Sequence, residues 1–419
     1  MRAYWQAVAE NLRLAVDTLR THIFRSLLTV LGVFIGTLTV IAVASIISGL
    51  DAQLVATAEQ YGTRVVWVYK LQMGLPHRLT REERLRKPLT YEDAMAIKEQ
   101  CPSVEEVSLT IFRDMTEFGL TPSTARYQSR EMTGAQFMGV DAKFVVLANT
   151  EVADGRFFTD ADDRHRRDVA VLGANVVEQL FQGEDPIGKS VVVDGHPFEV
   201  IGTFHKFKGV LGDNPDDRDV LIPFWTYKKI YPTARDHFIS VLANRGEMAQ
   251  AQDQIRGLLR RRRHVKLDDP DNFGMATSES LVSEFRQIIG TVALVMVVIS
   301  SIGLLVGGIG VMDIMLVSVT ERTREIGVRK AVGARQRDIA WQFLLEAVML
   351  TGSGGLLGIA AGWMLSLLIR VLVPSLPSTV PLWSVVTGFV VSTTIGLFFG
   401  LWPALKAARL DPIAALRHE

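Results

Sequence analysis

The chain has 419 residues, 48% of them hydrophobic, with a mean hydropathy of +0.22, and its 45 Lys and Arg balance 45 Asp and Glu. That apolarity argues against an ordinary soluble enzyme and puts membrane proteins first, while the charge balance gives no ground for a nucleic-acid partner. The single cysteine, Cys101, excludes an intrachain disulfide and a cysteine-based zinc site and reads as a small apolar residue.

Residues 1–26 read as a cytoplasmic amphipathic tail. The run 27–50 is long enough to cross a bilayer, too long for a signal-peptide core and without a clean cleavage site after it, so it is expected to be an uncleaved first span. Residues 51–284 read as a large α/β domain of two lobes inserted between spans one and two. Within it, Thr90 caps a helix over 90–100 with Asp93 three residues on, VAVLG (169–173) is a strand, and ANVVEQLFQ (174–182) has helical spacing. Asp194-Gly195 between two β-branched runs predicts a hairpin, and HFISVLAN (237–244) is a further strand. A helix from Met248 ends in Arg260 to Arg263, which read as a solvated helix end whose charge complements the dipole. Further spans are expected at 285–317, 342–373 and 381–403, with a loop at 318–341 and a tail at 404–419.

GEDPIGKS (183–190) fits the phosphate-loop pattern G-x-x-x-x-G-K-[ST] letter for letter. A phosphate loop needs a strand before the glycines and a helix after them, so that backbone N–H groups converge on the anion. Here the helix precedes and the strand follows. Glu184 and Asp185 would repel phosphate, and Pro186 removes a donor. The stretch is therefore expected to be a turn. No H-E-x-x-H, G-x-S-x-G or other catalytic set is present in the sequence, so no covalent chemistry is expected.

Arg2, Arg13, Arg20 and Arg25 before span one, six basic residues from Arg322 to Arg337, and Lys406, Arg409 and Arg417 at the end contrast with PSLPSTVP between spans three and four, which has none. The positive-inside rule places both termini and the 318–341 loop in the cytoplasm and residues 51–284 outside it. Glycines four apart recur in every span: Gly32 and Gly36; Gly303 and Gly307; Gly354, Gly358 and Gly362; Gly396 and Gly400. Such spacing lets helix backbones approach closely and points to a tight bundle or a dimer seam. Asp313 and Glu346, at the predicted inner edge, are expected to bond across helices.

The loop SVTERTREIGVRKAVGAR alternates charge around Ile326, Val328 and Val332, with Gly327 and Gly333 as breaks. A short helix there would present Glu321, Arg322, Arg324, Glu325 and Arg329 to a partner, with Ile326 and Val328 as apolar anchor; a basic loop that only sets topology is the alternative. This loop, the following QFLLEAV and GGLLG, and the tail WPALKAARLDPIAALRHE resemble the FtsX-like permease segment of MacB-type ABC transporters. RSLLTVLGVFIG resembles the family's start, and LTYEDAMAIKEQCPSVEEVS, EVADGRFFTDAD and DPIGKSVVVDGHPFEVIGTF are similar to its outer domain.

The resemblance implies a membrane protein with four transmembrane helices and a MacB-like extracytoplasmic α/β domain, in the bacterial inner membrane. It further implies a non-catalytic permease that couples ATP hydrolysis to conformational change for export of antibiotic, peptide, lipid or lipoprotein. No cofactor is expected on this chain, ATP and Mg belonging to a separate ATPase subunit. The other implied partners are a second permease chain, a membrane-fusion adaptor and membrane lipid. MacB carries its ATP-binding domain ahead of the first span, where this sequence has a 26-residue tail, and Asp313 stands where many relatives have Asn. An FtsX-like transmitter that controls an extracytoplasmic cell-wall hydrolase is the alternative within the same fold.

Overall fold

The computed structural model describes residues 23–72, 80–113, 115–116, 119–209, 212–373 and 375–416. The chain divides into a helical unit, residues 1–51 and 288–419, and an inserted unit, residues 52–287.

The inserted unit is built on one eleven-stranded sheet. Asp219–Pro223 pairs antiparallel with Val169–Leu172 and parallel with Arg130–Val140. The strands between them, His196–Phe204, Ser190–Val193 and Ser123–Tyr127, thereby close into a ring. Closure removes the free edges that an open sheet would expose. The long strand Arg130–Val140 leaves this ring through Val104–Phe112 to an open part that continues with Asp236–Ala243, Val65–Tyr69 and Gly274–Thr277. Within the insert, expected from its length to form two lobes, a closed part and an open part share one sheet.

Strand alternation divides the core between the two faces. In Val169–Leu172 all four residues are buried, Val169 and Val171 in one cluster and Ala170 and Leu172 in the other, as a strand covered on both faces requires. The larger cluster takes in Ile97, Phe181, Phe198, Tyr227 and Leu259; the smaller takes in Tyr69, Phe112, Phe158 and Phe204. Cys101 is free and buried in the larger. Thr90 and Asp93 form a reciprocal capping box at the start of Tyr91–Gln100. The hairpin turns at Asp194 and Gly195, whose φ values of 45° and 87° suit an Asp-Gly pair.

Arg260, Arg262 and Arg263 are a correction to the solvated helix end, whereas Arg261 is exposed. Arg260 pairs with Asp271, Arg262 with Asp93 at 2.8 Å, and Arg263 donates to Asn272 Oδ1 and the Lys87 carbonyl, both at 2.6 Å. These arginines pin the helix end to neighbouring loops.

Among the described residues, four helices are long and apolar enough to cross a membrane, in Ile23–Gln60, Ser278–Glu321, Gln336–Leu372 and Leu382–Ala408. Crossing the hydrocarbon takes about 20 residues. Each helix has more than that, so the apolar runs are shorter than the helices that carry them. In lipid there is no hydrophobic drive between helices, and close approach must supply the attraction. A Cβ on Gly32 would lie 2.8 Å from Gly307 Cα, and Gly36 faces Leu304, so the first and second span helices meet backbone to backbone. Gly303 lies against Gly36 in the same seam. Gly354, Gly358 and Gly362 of the third helix face Val30, Thr37 and Ile41 of the first, and Gly396 and Gly400 of the fourth face Thr351 and Ala347 of the third. All nine glycines thus pack inside one chain. The Thr37 and Ser300 hydroxyls bond back to carbonyls four residues earlier, so each satisfies its own donor in an apolar surrounding.

Candidate docking site on the connecting helix

The residues joining the second and third span helices form a helix, Thr323–Ala331. Gly333, at φ 109°, ends it, whereas Gly327 sits inside it, where a Cβ would press on Ala415 of the short terminal helix Pro412–Leu416. Of the two expected breaks, only Gly333 is one. Nine residues make too short a helix to persist alone in water, so packing must hold this one in place.

That packing is specific. Thr323, Ile326 and Gly327 are buried, and Ile326, 1% exposed, joins a cluster with Met315, Ile339, Phe343 and Ala407. Lys330 Nζ donates to the Ala408 carbonyl at 2.8 Å and the Leu410 carbonyl at 2.5 Å, satisfying carbonyls that the fourth span helix leaves open at its end. Arg329 donates to Gln342 Oε1 at 2.6 Å and pairs with Glu325 at 2.5 Å. Arg322 Nη1 lies 3.6 Å from Glu346, which is buried early in the third span helix. Glu346 bonds across helices, while Asp313 is exposed on the second.

Two faces result. Ile326 is corrected from partner anchor to internal anchor, and Arg322 and Arg329 are engaged by the chain's own groups. Arg324, Glu325 and Val328 lie on the opposite side, at the spacing of one helical stripe, and are exposed, as is Glu321 at the end of the preceding helix; Val328 is 48% and the following Val332 85% exposed. Lys330 and Gln342, which position the helix, carry no signal that marks them in the sequence, and Gly327 is marked there only as a break. Lys330 reads as one more basic residue until the end of the fourth helix is seen beneath it.

GEDPIGKS lies between helix Ala174–Phe181 and strand Ser190–Val193, the reverse of a phosphate loop. Lys189 pairs with Glu184 at 2.9 Å, and its ammonium lies over the Tyr127 and Phe181 rings at 5.6 and 5.7 Å. The bond to Glu184 raises the Lys189 pKa, and the same bond lowers that of Glu184. Arg130 donates to the Leu180 and Phe181 carbonyls, closing the helix end. The loop is a turn with its own carboxylate where an anion would sit.

An apolar four-helix unit interrupted by a large α/β insert, with a pinned helix between its second and third spans, defines a class of membrane protein. A model of the MacB-like periplasmic core domain matches residues 26–258, more than half of the chain, and one of the FtsX-like permease C-terminal region matches residues 288–412. The chain belongs to the family of MacB-like ABC transporter permeases. It is 33% identical over 420 residues to the macrolide export ATP-binding/permease protein MacB of Neisseria meningitidis, covering 99% of this chain and 62% of that protein. It is 35% identical to MacB of Azoarcus sp. (98% and 60% covered) and 31% identical to the pyoverdine export ATP-binding/permease protein PvdT of Pseudomonas syringae (99% and 60%). The chain spans less than two thirds of the length of these relatives. Among solved structures, the periplasmic region of MacB from Actinobacillus actinomycetemcomitans aligns with a TM-score of 0.45 at 18% identity, covering 56% of this chain and 97% of that one.

Proposed function

We propose that this chain is the permease subunit of a MacB-type exporter, moved by an ABC ATPase on a separate chain that docks on the exposed stripe of Thr323–Ala331. In this reading the termini and the connecting helix are cytoplasmic, the inserted unit is extracytoplasmic, and the chain itself does no covalent chemistry. ATP and Mg sit on the ATPase, and a second permease chain completes the pore-side surface. The basic residues flanking the spans support this orientation. Export of a small molecule, peptide, lipid or lipoprotein follows the export proteins to which the chain is similar.

The observation that carries the reading is the division of one short helix into a pinned face and an exposed face of mixed charge with Val328 at its centre. A loop that only set topology would need positive charge and no such construction. Breaking a desolvated charge contact at an interface costs about 2 to 5 kcal/mol. Arg324→Glu with Val328→Asp should therefore release a co-expressed ATPase on co-purification while the permease still inserts in the membrane. Retention of the ATPase at the wild-type level by that variant would remove the docking role.

A further inference from the structure

At the end of the helical unit that carries the connecting helix, the third and fourth span helices leave a groove of about 370 Å³ between them. Its floor and walls are apolar: Ala340 and Leu344 from the third helix, Leu401, Ala404 and Leu405 from the fourth. Trp341 stands at its margin, 63% exposed. Arg337, in the first turn of Gln336–Leu372, lines the mouth. Lys406, in the last turn of Leu382–Ala408, follows Leu405 and extends over the Trp402 ring at 5.6 Å.

The two cations lie at the same end of an antiparallel helix pair, and neither has a carboxylate partner among the described residues. The acidic groups nearest in sequence are occupied: Asp338 accepts the Arg335 backbone N–H at 3.0 Å, and Asp411 accepts that of Ile413 at 3.0 Å. Two other basic groups at this end are engaged, Arg329 by Glu325 and Lys330 by helix-end carbonyls. Tryptophans at the end of a span mark the water–lipid boundary, where a headgroup and the first part of an acyl chain are the available neighbours. Basic pockets between spans at that depth suit anionic lipid headgroups.

We infer that this groove is a binding site for one anionic phospholipid, with an acyl chain between Leu344 and Leu401 and the headgroup phosphate between Arg337 and Lys406. The site needs only that the helices span a bilayer, and it does not depend on the transport reading. A phospholipid of zwitterionic headgroup fills the apolar part equally well, so selectivity resides in the two cations. Each basic residue near a charged lipid surface is worth about fivefold in affinity, hence about thirtyfold for both.

The test is native mass spectrometry of the full-length chain in detergent, titrated with phosphatidylglycerol or with phosphatidylcholine of identical acyl chains. The wild type should hold phosphatidylglycerol more than tenfold tighter. Arg337→Gln with Lys406→Gln should reduce that preference to near unity while leaving phosphatidylcholine binding and helical circular dichroism unchanged, and Arg337→Lys with Lys406→Arg should keep it. A photoreactive residue in place of Trp341 should give a lipid adduct. Equal binding of the two lipids by the wild type, or a preference that survives double neutralisation, would overturn the assignment; so would an adduct from position 341 to residues 1–22 or to a second protein.

Discussion

The inserted unit and the helical unit use the same apolar residues in opposite ways. In the first, Phe181, Phe198, Tyr69 and Tyr227 are wholly covered on the two faces of a sheet. In the second, Leu294, Val298, Ile302 and Val306 point outward, and the contacts within are made by Gly32, Gly307, Gly358 and Gly396. The reason is the solvent on the far side. Water expels large apolar groups, so bulk is stabilising inside the sheet; lipid is as apolar as leucine, so only backbone proximity favours one helix arrangement over another. Size stabilises one unit and smallness the other.

The largest test of that contrast is Phe181→Ala. It removes a ring that is fully buried and packed at a tilt against Tyr127 at 4.4 Å, and should cost the inserted unit about 3 to 5 kcal/mol in urea unfolding of the full-length protein. A loss under about 1 kcal/mol would mean that the sheet is not held by bulk.

A second prediction sharpens the cost of placing charge in the same unit. Asp163 accepts the Trp225 backbone N–H at 2.8 Å, and burial, with Asp141 and Asp160 nearby, pushes its pKa from 3.8 up to about 6. The folded state therefore holds the proton more tightly than the unfolded chain, so stability is full below about pH 4 and falls as pH rises toward about 6, by about 2 to 3 kcal/mol. Asp163→Asn keeps an acceptor for Trp225 and should flatten the profile between pH 4 and 6; an unchanged slope would assign it to other groups.

In the helical unit the reverse substitution should do the harm. Gly307→Leu inserts bulk where a Cβ would already lie 2.8 Å from Val33 N, and should cost about 1 to 3 kcal/mol, read as a lower thermal midpoint in detergent with the inserted unit's near-ultraviolet circular dichroism preserved. Tolerance of leucine there would show that the first and second span helices do not depend on close approach. The smallest effect belongs to Lys189→Ala. As a half-buried turn residue it should leave the melting temperature and the ATPase activity of an assembled complex within error of wild type, and a loss of nucleotide binding in that variant would contradict the turn assignment.

How much of this is legible in the sequence depends on the range of the interactions. The spans, the Thr90 cap and the Asp194-Gly195 turn follow from residues a few positions apart, and the structure has them. Helix ends are less legible: the expected span 285–317 covers only part of Ser278–Glu321, because hydropathy reports lipid contact while backbone bonding continues through polar residues such as Glu279 and Glu284. Ring closure through Asp219–Pro223 and Arg130–Val140 joins strands nearly eighty positions apart and leaves no local pattern. Ile326 is misplaced for the same reason. On a nine-residue helix with apolar residues on two sides, the inward side is chosen by Phe343 and Ala407, which the local sequence does not contain.

Val65–Tyr69 follows the first span helix after a short turn, and Gly274–Thr277 runs directly into the second; the two strands are hydrogen-bonded neighbours, Val66 opposite Thr277 and Tyr69 opposite Gly274. Entry to and exit from the inserted unit therefore lie side by side. Seen from the two helices, a segment of some two hundred residues is a hairpin, and its length is immaterial to the gap they must bridge. The same adjacency makes the junction at these two strands the natural cut point for grafting a different domain onto the membrane helices.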